Sequence, residues 1–133
     1  MSSKFKFGVP QHLWEAAKQE AIAVMTARAR VRGMIAYSEL IQHISSINFL
    51  AYDQKLFHLL GEISTEEDAA GRGMLSVLVV HKAGDMQPGQ GFYELANQLG
   101  RDTSDILSCW VSELHRVHAA WSSKSARRSP TTA

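Results

Sequence analysis

Six histidines and a single cysteine are the first residues to consider for chemistry in this 133-residue chain. His115 and His118 are three apart, and on a helix they could share a face with Cys109 about one and two turns earlier. Zinc needs three or four such ligands in a tetrahedral array, and no second Cys or His pair stands at ligand spacing. No metal ligand is therefore assigned: His118 is expected at the border of the core near Trp121, and His115 in solvent. Hydrolysis needs a nucleophile with a base and an orienting group. The chain contains no Gly-x-Ser-x-Gly and no His-Glu-x-x-His, and Cys109 has no catalytic context. Neither a catalytic residue nor a cofactor is assigned. Gly89-Gln90-Gly91 precedes a helical pattern, where N–H groups at a helix start can receive an anion. The dinucleotide fingerprint and the P-loop lysine are both missing, and these glycines with Pro88 are explained as well by a tight turn.

Cations are the remaining chemical resource. The net charge of +1 hides a segregation along the chain: residues 1–33 carry +4, 34–72 carry −4, 73–121 carry −2 and 122–133 carry +3. Polyanion binding would therefore use the two ends, through Arg28, Arg30 and Arg32 and through Lys124, Arg127 and Arg128. The arginines of the first block also fall in the last turns of a helix, where the helix dipole favours cations without any ligand.

The elements that must position these residues follow from hydrophobic spacing. Trp14, Ala17, Ala21, Val24 and Met25 predict an amphipathic helix from Pro10 to about Arg32, with Gly33 as the left-handed residue that ends it. Met34 to Tyr37 reads as a short first strand. Ser38-Glu39 opens a second helix over 38–45, and Leu56, Phe57, Leu59, Leu60 and Ile63 mark a third from near Asp53. Ser64-Thr65-Glu66-Glu67 matches a capping box, which predicts a separate short acidic turn ending at Gly71. Met74 to His81 is rich in Val and Leu and predicts one buried strand at the centre of the core. After a loop over 83–91, Phe92 to Leu99 predicts a helix stopped by Gly100. The last helix, from about Asp102, carries Leu107, Trp110, Val111, Leu114, Val117 and Trp121 on one face. Residues 1–9 read as an arm, 10–121 as a single globular domain and 122–133 as a disordered basic tail.

Apolar residues at 45% and charged residues at 20% are ordinary globular usage. No apolar run approaches the ~18 residues that cross a bilayer, and no secretory leader is recognisable at the N-terminus. With one cysteine there can be no internal disulfide, so a cytoplasmic protein without a membrane partner is expected.

The order helix, strand, helix, helix, strand, loop resembles a winged-helix arrangement. Residues 53–63 stand in the place of the recognition helix and 82–91 in that of the wing. The resemblance implies nucleic-acid contacts from Gln54, Lys55, His58 and Lys82 besides Arg28, Arg30, Arg32, Arg127 and Arg128. Asp53, Glu62 and Asp85 stand against it, placing negative charge among the same residues. Separately, Gly71-Arg72-Gly73-Met74-Leu75-Ser76-Val77-Leu78-Val79-Val80 with Pro88-Gly89-Gln90-Gly91-Phe92 is similar to a motif of small uncharacterised bacterial proteins, and implies no particular activity. The expected fold is α+β and mainly helical, with a winged-helix-like core, one buried strand or hairpin, and a long C-terminal amphipathic helix. Two functions compete: a nucleic-acid-binding regulator, and a protein-interaction factor such as an adaptor or an immunity-type inhibitor. In the second, Trp121 is the expected contact to a protein partner or a second copy of the chain.

Overall fold

Trp14, Ala17, Ala21, Met25 and Ala29 recur every three or four residues and are all buried, so the first helix, α1 (Gln11–Arg30), presents one stripe to the core. The structure, a computed structural model, describes residues 5, 6, 8–50, 53–81 and 89–122. Before α1, Phe5–Lys6 (β1) pairs antiparallel with Val9–Pro10 (β2), so part of the expected arm is a small hairpin. After it come β3 (Ile35–Ala36), α2 (Tyr37–Gln42), α3 (Gln54–Ala69), a 3₁₀ turn (Leu75–Leu78), β4 (Val79–Val80), α4 (Gln90–Gln98) and α5 (Ile106–Ser122). The chain is a mainly helical α+β protein with a long C-terminal helix. β3 and β4 run parallel, in the register Ile35 to Val79 and Ala36 to Val80. The expected wing falls largely on residues 82–88, and the expected tail, 122–133, begins on Ser122, which is the last residue of α5; residues 82–88 and 123–133 lie outside the described residues.

The segment Gly73 to Val80 is buried throughout and packs against α1, α3 and α5, which places it at the centre of the core as its composition requires. It is not, however, one strand: only Val79 and Val80 join a ladder. A buried backbone must have its polar groups paired, and here side chains do what a neighbouring strand would do. The Met74 N–H donates to Glu113 Oε2 at 2.8 Å and the Ser76 N–H to Ser64 Oγ at 2.9 Å, while the Val77 carbonyl accepts from Trp110 Nε1 at 3.3 Å. With those groups satisfied, residues 75–78 curl into a 3₁₀ turn.

The same contacts explain the failure of the capping box. Ser64 lies inside α3 and is fully buried, and its hydroxyl serves Ser76 rather than a helix start. The helix instead begins at its own cap, Asp53, which accepts the Lys55 N–H at 3.0 Å. It ends with Gly71 at φ +85°, with the Arg72 N–H on the Glu67 carbonyl at 3.0 Å. The end of α1 also differs from expectation: the left-handed residue is Arg32, at φ +56°, and Gly33 is the residue after it. The second helix stops at Gln42 rather than residue 45. The last begins at Ile106, because Asp102 holds Ser104 in a turn and Asp105 takes the Ser108 N–H.

On α5 the inward positions are Cys109, Glu113, Val117 and His118, with Trp110, Leu114 and Trp121 half-buried beside them. The expected stripe is therefore rotated: Leu107 and Val111 are on its exposed side, and Glu113 takes a core position. That carboxylate is only 2% exposed and is held by a bidentate pair with Arg101, at 2.8 and 3.0 Å.

Candidate functional site

One face of α3, from Gln54 through Phe57, Gly61 and Thr65 to Glu66, looks across an open groove of about 950 Å³ toward α4. The steps of three and four residues from Gln54 to Thr65 put those positions on a single side of the helix, Glu66 follows next to Thr65, and the run extends roughly 18 Å along its axis. Gln90, Gly91, Glu94, Leu95 and Gln98 supply the opposite wall. Half-buried Phe57 and Leu95 furnish apolar surface over the buried Leu60 and Phe92, with carboxylates at Glu62, Glu66 and Glu94.

Tyr37, His81 and Gly89 close one end. The Tyr37 hydroxyl accepts the Gly89 N–H at 3.2 Å, and its ring lies 4.9 Å from that of His81, tilted by 39°. Burial pushes the Tyr37 phenol above its ordinary pKa, and the Gly89 hydrogen bond lowers it by less, so the group is a neutral phenol at pH 7. A side chain at Gly89 would come within 3.2 Å of His81 Nε2 and 3.5 Å of the Tyr37 hydroxyl, so this corner is built around a missing Cβ. Residues 82–88, which join His81 to Gly89, lie outside the described residues.

Gly61 is different. It lies inside α3 with an ordinary helical backbone, and the nearest atom a Cβ would meet is Leu95 Cδ2 at 4.0 Å, an ordinary contact distance. Nothing in the packing requires glycine there, yet glycine in a helix interior costs about 1 kcal/mol relative to alanine. What its missing side chain leaves is open space between α3 and α4.

The hydroxyls and thiol nearest this region are engaged or inert. Ser76 Oγ is 2.6 Å from Ser64 Oγ. Cys109 lies in α5, and burial raises its thiol pKa. His118 places Nε2 3.0 Å from the Gly33 carbonyl and His115 is exposed, as expected from sequence. Among the described residues no three His, Cys, Asp or Glu side chains are grouped to hold a metal ion.

The candidate phosphate contacts do not gather in one place. Gln54 and His58 line the groove, whereas Lys55 turns to Asp53 at 3.4 Å. Arg28 is held by Glu39 and by the Met34 carbonyl, the latter at 2.7 Å. Arg30 stacks 5.3 Å from the centre of the Trp121 ring, with Arg72 at 5.5 Å from the same ring. Arg32 is exposed at the end of α1. Lys82, Arg127 and Arg128 lie outside the described residues. Trp121 itself is half-buried under the two arginines, and its indole N–H meets no acceptor among the described residues. The most exposed apolar side chains of α5 are at its other end, where Ile106 is 50% and Leu107 54% exposed.

Tyr37, Gly61, His81, Glu62, Glu66 and Glu94 drew no functional reading from the sequence. Gly61 left the one visible signal, a lone glycine interrupting a helical apolar pattern. No family model matches the chain, and neither a curated protein nor a solved structure proves similar to it. No helix among the described residues is long and apolar enough to cross a membrane.

Proposed function

We propose that the chain is a binding module that grips a segment of another protein in the groove between α3 and α4. The observation that carries this reading is Gly61, where helix stability is given up and groove space is gained. The groove's length suits a peptide of about 12 residues in helical form, and helices commonly bind by laying one apolar face into such a channel. The nucleic-acid alternative is less well supported. Three of its candidate cations, Arg28, Arg30 and Lys55, are engaged within the molecule, and the groove beside Gln54 and His58 is rimmed by carboxylates that repel phosphate.

Gly61→Leu tests the reading, since it fills the groove while improving helix propensity. Panning a random peptide library against the protein is expected to return binders that lose at least tenfold in affinity for Gly61→Leu, with the variant melting no lower than the parent. If no binder is sensitive to Gly61→Leu, the groove is not the site. If mixed-sequence DNA or RNA binds instead, with affinity falling steeply as salt rises, the nucleic-acid regulator replaces the protein-interaction reading.

A further inference from the structure

On the premise that the groove holds a protein segment, we infer that its occupant is a cationic amphipathic helix, with Lys or Arg side chains meeting Glu62, Glu66 and Glu94 and an apolar face lying on the half-buried Phe57 and Leu95.

Charge complementarity selects this class. Three carboxylates line the groove and no Lys or Arg does so among the described residues; His58 and His81 are the other titratable side chains in its wall besides Tyr37. One cation reaches the rim from behind: Lys18, on α1, is almost wholly buried and lies 2.7 Å from Glu66 and 3.3 Å from Glu62. Burial alone would lower the Lys18 pKa, but hydrogen bonds to Glu66 and Glu62 outweigh it and leave the ammonium raised. Lys18 therefore offsets one negative charge and leaves two on the rim. Its partners also differ. Glu62 is further used by Trp14 Nε1 at 3.0 Å, whereas the Glu66 side chain is 60% exposed and Glu94, exposed as well, meets among the described residues one long contact, from Gln90 Nε2 at 3.3 Å. Glu66, on α3, and Glu94, on α4, thus stand on opposite walls with oxygen atoms open to a ligand. An anionic segment would meet the same carboxylates as repulsion, and a purely apolar one would leave them desolvated without partners.

The discriminating experiment uses three labelled peptides of about 12 residues, the length that matches the groove. They share one Leu face and carry Lys, Gln or Glu on the other, and binding is read by fluorescence anisotropy. The Lys peptide is expected to bind at least tenfold tighter than the Gln peptide at low salt, and this advantage should shrink as salt is added. Glu66→Gln and Glu94→Gln should each lower Lys-peptide affinity by roughly fivefold, the upper range for an exposed ion pair, and leave Gln-peptide affinity unchanged. Glu62 stays intact in both variants and keeps Lys18 paired, and circular dichroism checks that each is folded. Gly61→Leu should weaken all three peptides. Equal binding of the Lys and Gln peptides overturns the charge inference while leaving a protein-binding groove. So does failure of all three when a panned peptide still binds in a manner sensitive to Gly61→Leu. If the Lys peptide binds Gly61→Leu as well as the parent, it is not in the groove, and the charge inference falls together with its premise.

Discussion

Arg32 occupies a backbone conformation that, elsewhere among the described residues, glycine alone adopts. At the ends of α1, α3 and α4 the same hydrogen bond closes the helix: the Gly33 N–H to the Arg28 carbonyl at 2.8 Å, Arg72 to Glu67 at 3.0 Å and Arg101 to Ala96 at 2.8 Å. The residue just before each of these donors is left-handed, and it is Gly71 and Gly100 in two cases but Arg32 in the first. A Cβ in that region clashes with the following carbonyl, at a cost of about 1–2 kcal/mol, part of which is returned by the lower chain entropy of a non-glycine residue when unfolded. Arg32→Gly should therefore stabilise the protein by about 0.5–1 kcal/mol, a rise of roughly 3 °C in melting temperature. An unchanged or lower melting temperature would show that the Arg32 side chain contributes something the backbone geometry does not reveal. Glu20 supports a second prediction at this scale. Its carboxylate accepts from the Ser45 hydroxyl at 2.7 Å and from the Ser45 and Ser46 N–H groups at 3.0 and 3.1 Å. The Ser45 hydroxyl and then the Ser46 N–H hold it below the ordinary pKa, against a smaller opposing effect of burial. Because the folded-state value is depressed, the stabilisation is complete above the unfolded value of about 4.3 and is lost as pH falls through the lower folded value. A carbon-detected titration should place the Glu20 midpoint below that of a model peptide. Glu20→Gln should remove this part of the acid-side loss of stability.

Among the elements, those defined by apolar period alone are the ones that were legible. α1 and the mainly helical class follow from Trp14, Ala17, Ala21 and Met25, and the central burial of residues 74–80 follows from an unbroken apolar run. What could not be read locally was the destination of polar groups. Ser64 to Glu67 carries every feature of a helix start, yet Ser64 is needed 12 residues away by Ser76 and Glu67 by Arg72, so the helix runs through. A Val-rich run predicts a strand only where another strand is free to pair; here two residues find β3, while Glu113, Ser64 and Trp110 pair one backbone group each of Met74, Ser76 and Val77. The α5 stripe was displaced for the same reason, since a glutamate enters a core position only when an arginine elsewhere in the chain is waiting for it. The groove was nearly invisible because its walls, α3 and α4, meet through tertiary packing. Gly61, a breaker inside a strong helix, is its one local signal, and that glycine drew no reading from the sequence.

Across the whole molecule, Arg101 and Glu113 join parts that share no secondary structure. Arg101 reaches Asp68 near the end of α3 at 2.5 Å and both oxygens of Glu113 on α5, while Glu113 also receives the Met74 N–H from the central segment. Hydrogen bonds with Glu113 and then Asp68 raise the Arg101 pKa far above the ordinary value, so the guanidinium is charged under all working conditions. The same carboxylate sits 3.0 Å from where a Cβ of Gly73 would lie, and Gly73, at φ +87°, lets the central segment pass close to α5. Removing Arg101 would leave a carboxylate that is almost fully buried, with Arg116 at 3.6 Å and the Met74 N–H as its remaining partners. Breaking one side of a buried pair costs about 3–5 kcal/mol, a large share of the 5–15 kcal/mol that holds a domain together. Arg101→Met should therefore lower the urea midpoint sharply with little change in slope. Arg101→Met combined with Glu113→Gln should be less damaged than the sum of the two single variants. Gln still offers an oxygen to the Met74 N–H, and no charge is then stranded in the core. A double-variant loss smaller than the sum of the single losses would show that the penalty lies in the orphaned carboxylate, whereas strictly additive losses would mean that the two side chains stabilise the protein independently and that the pair does not tie α3, α5 and the central segment together.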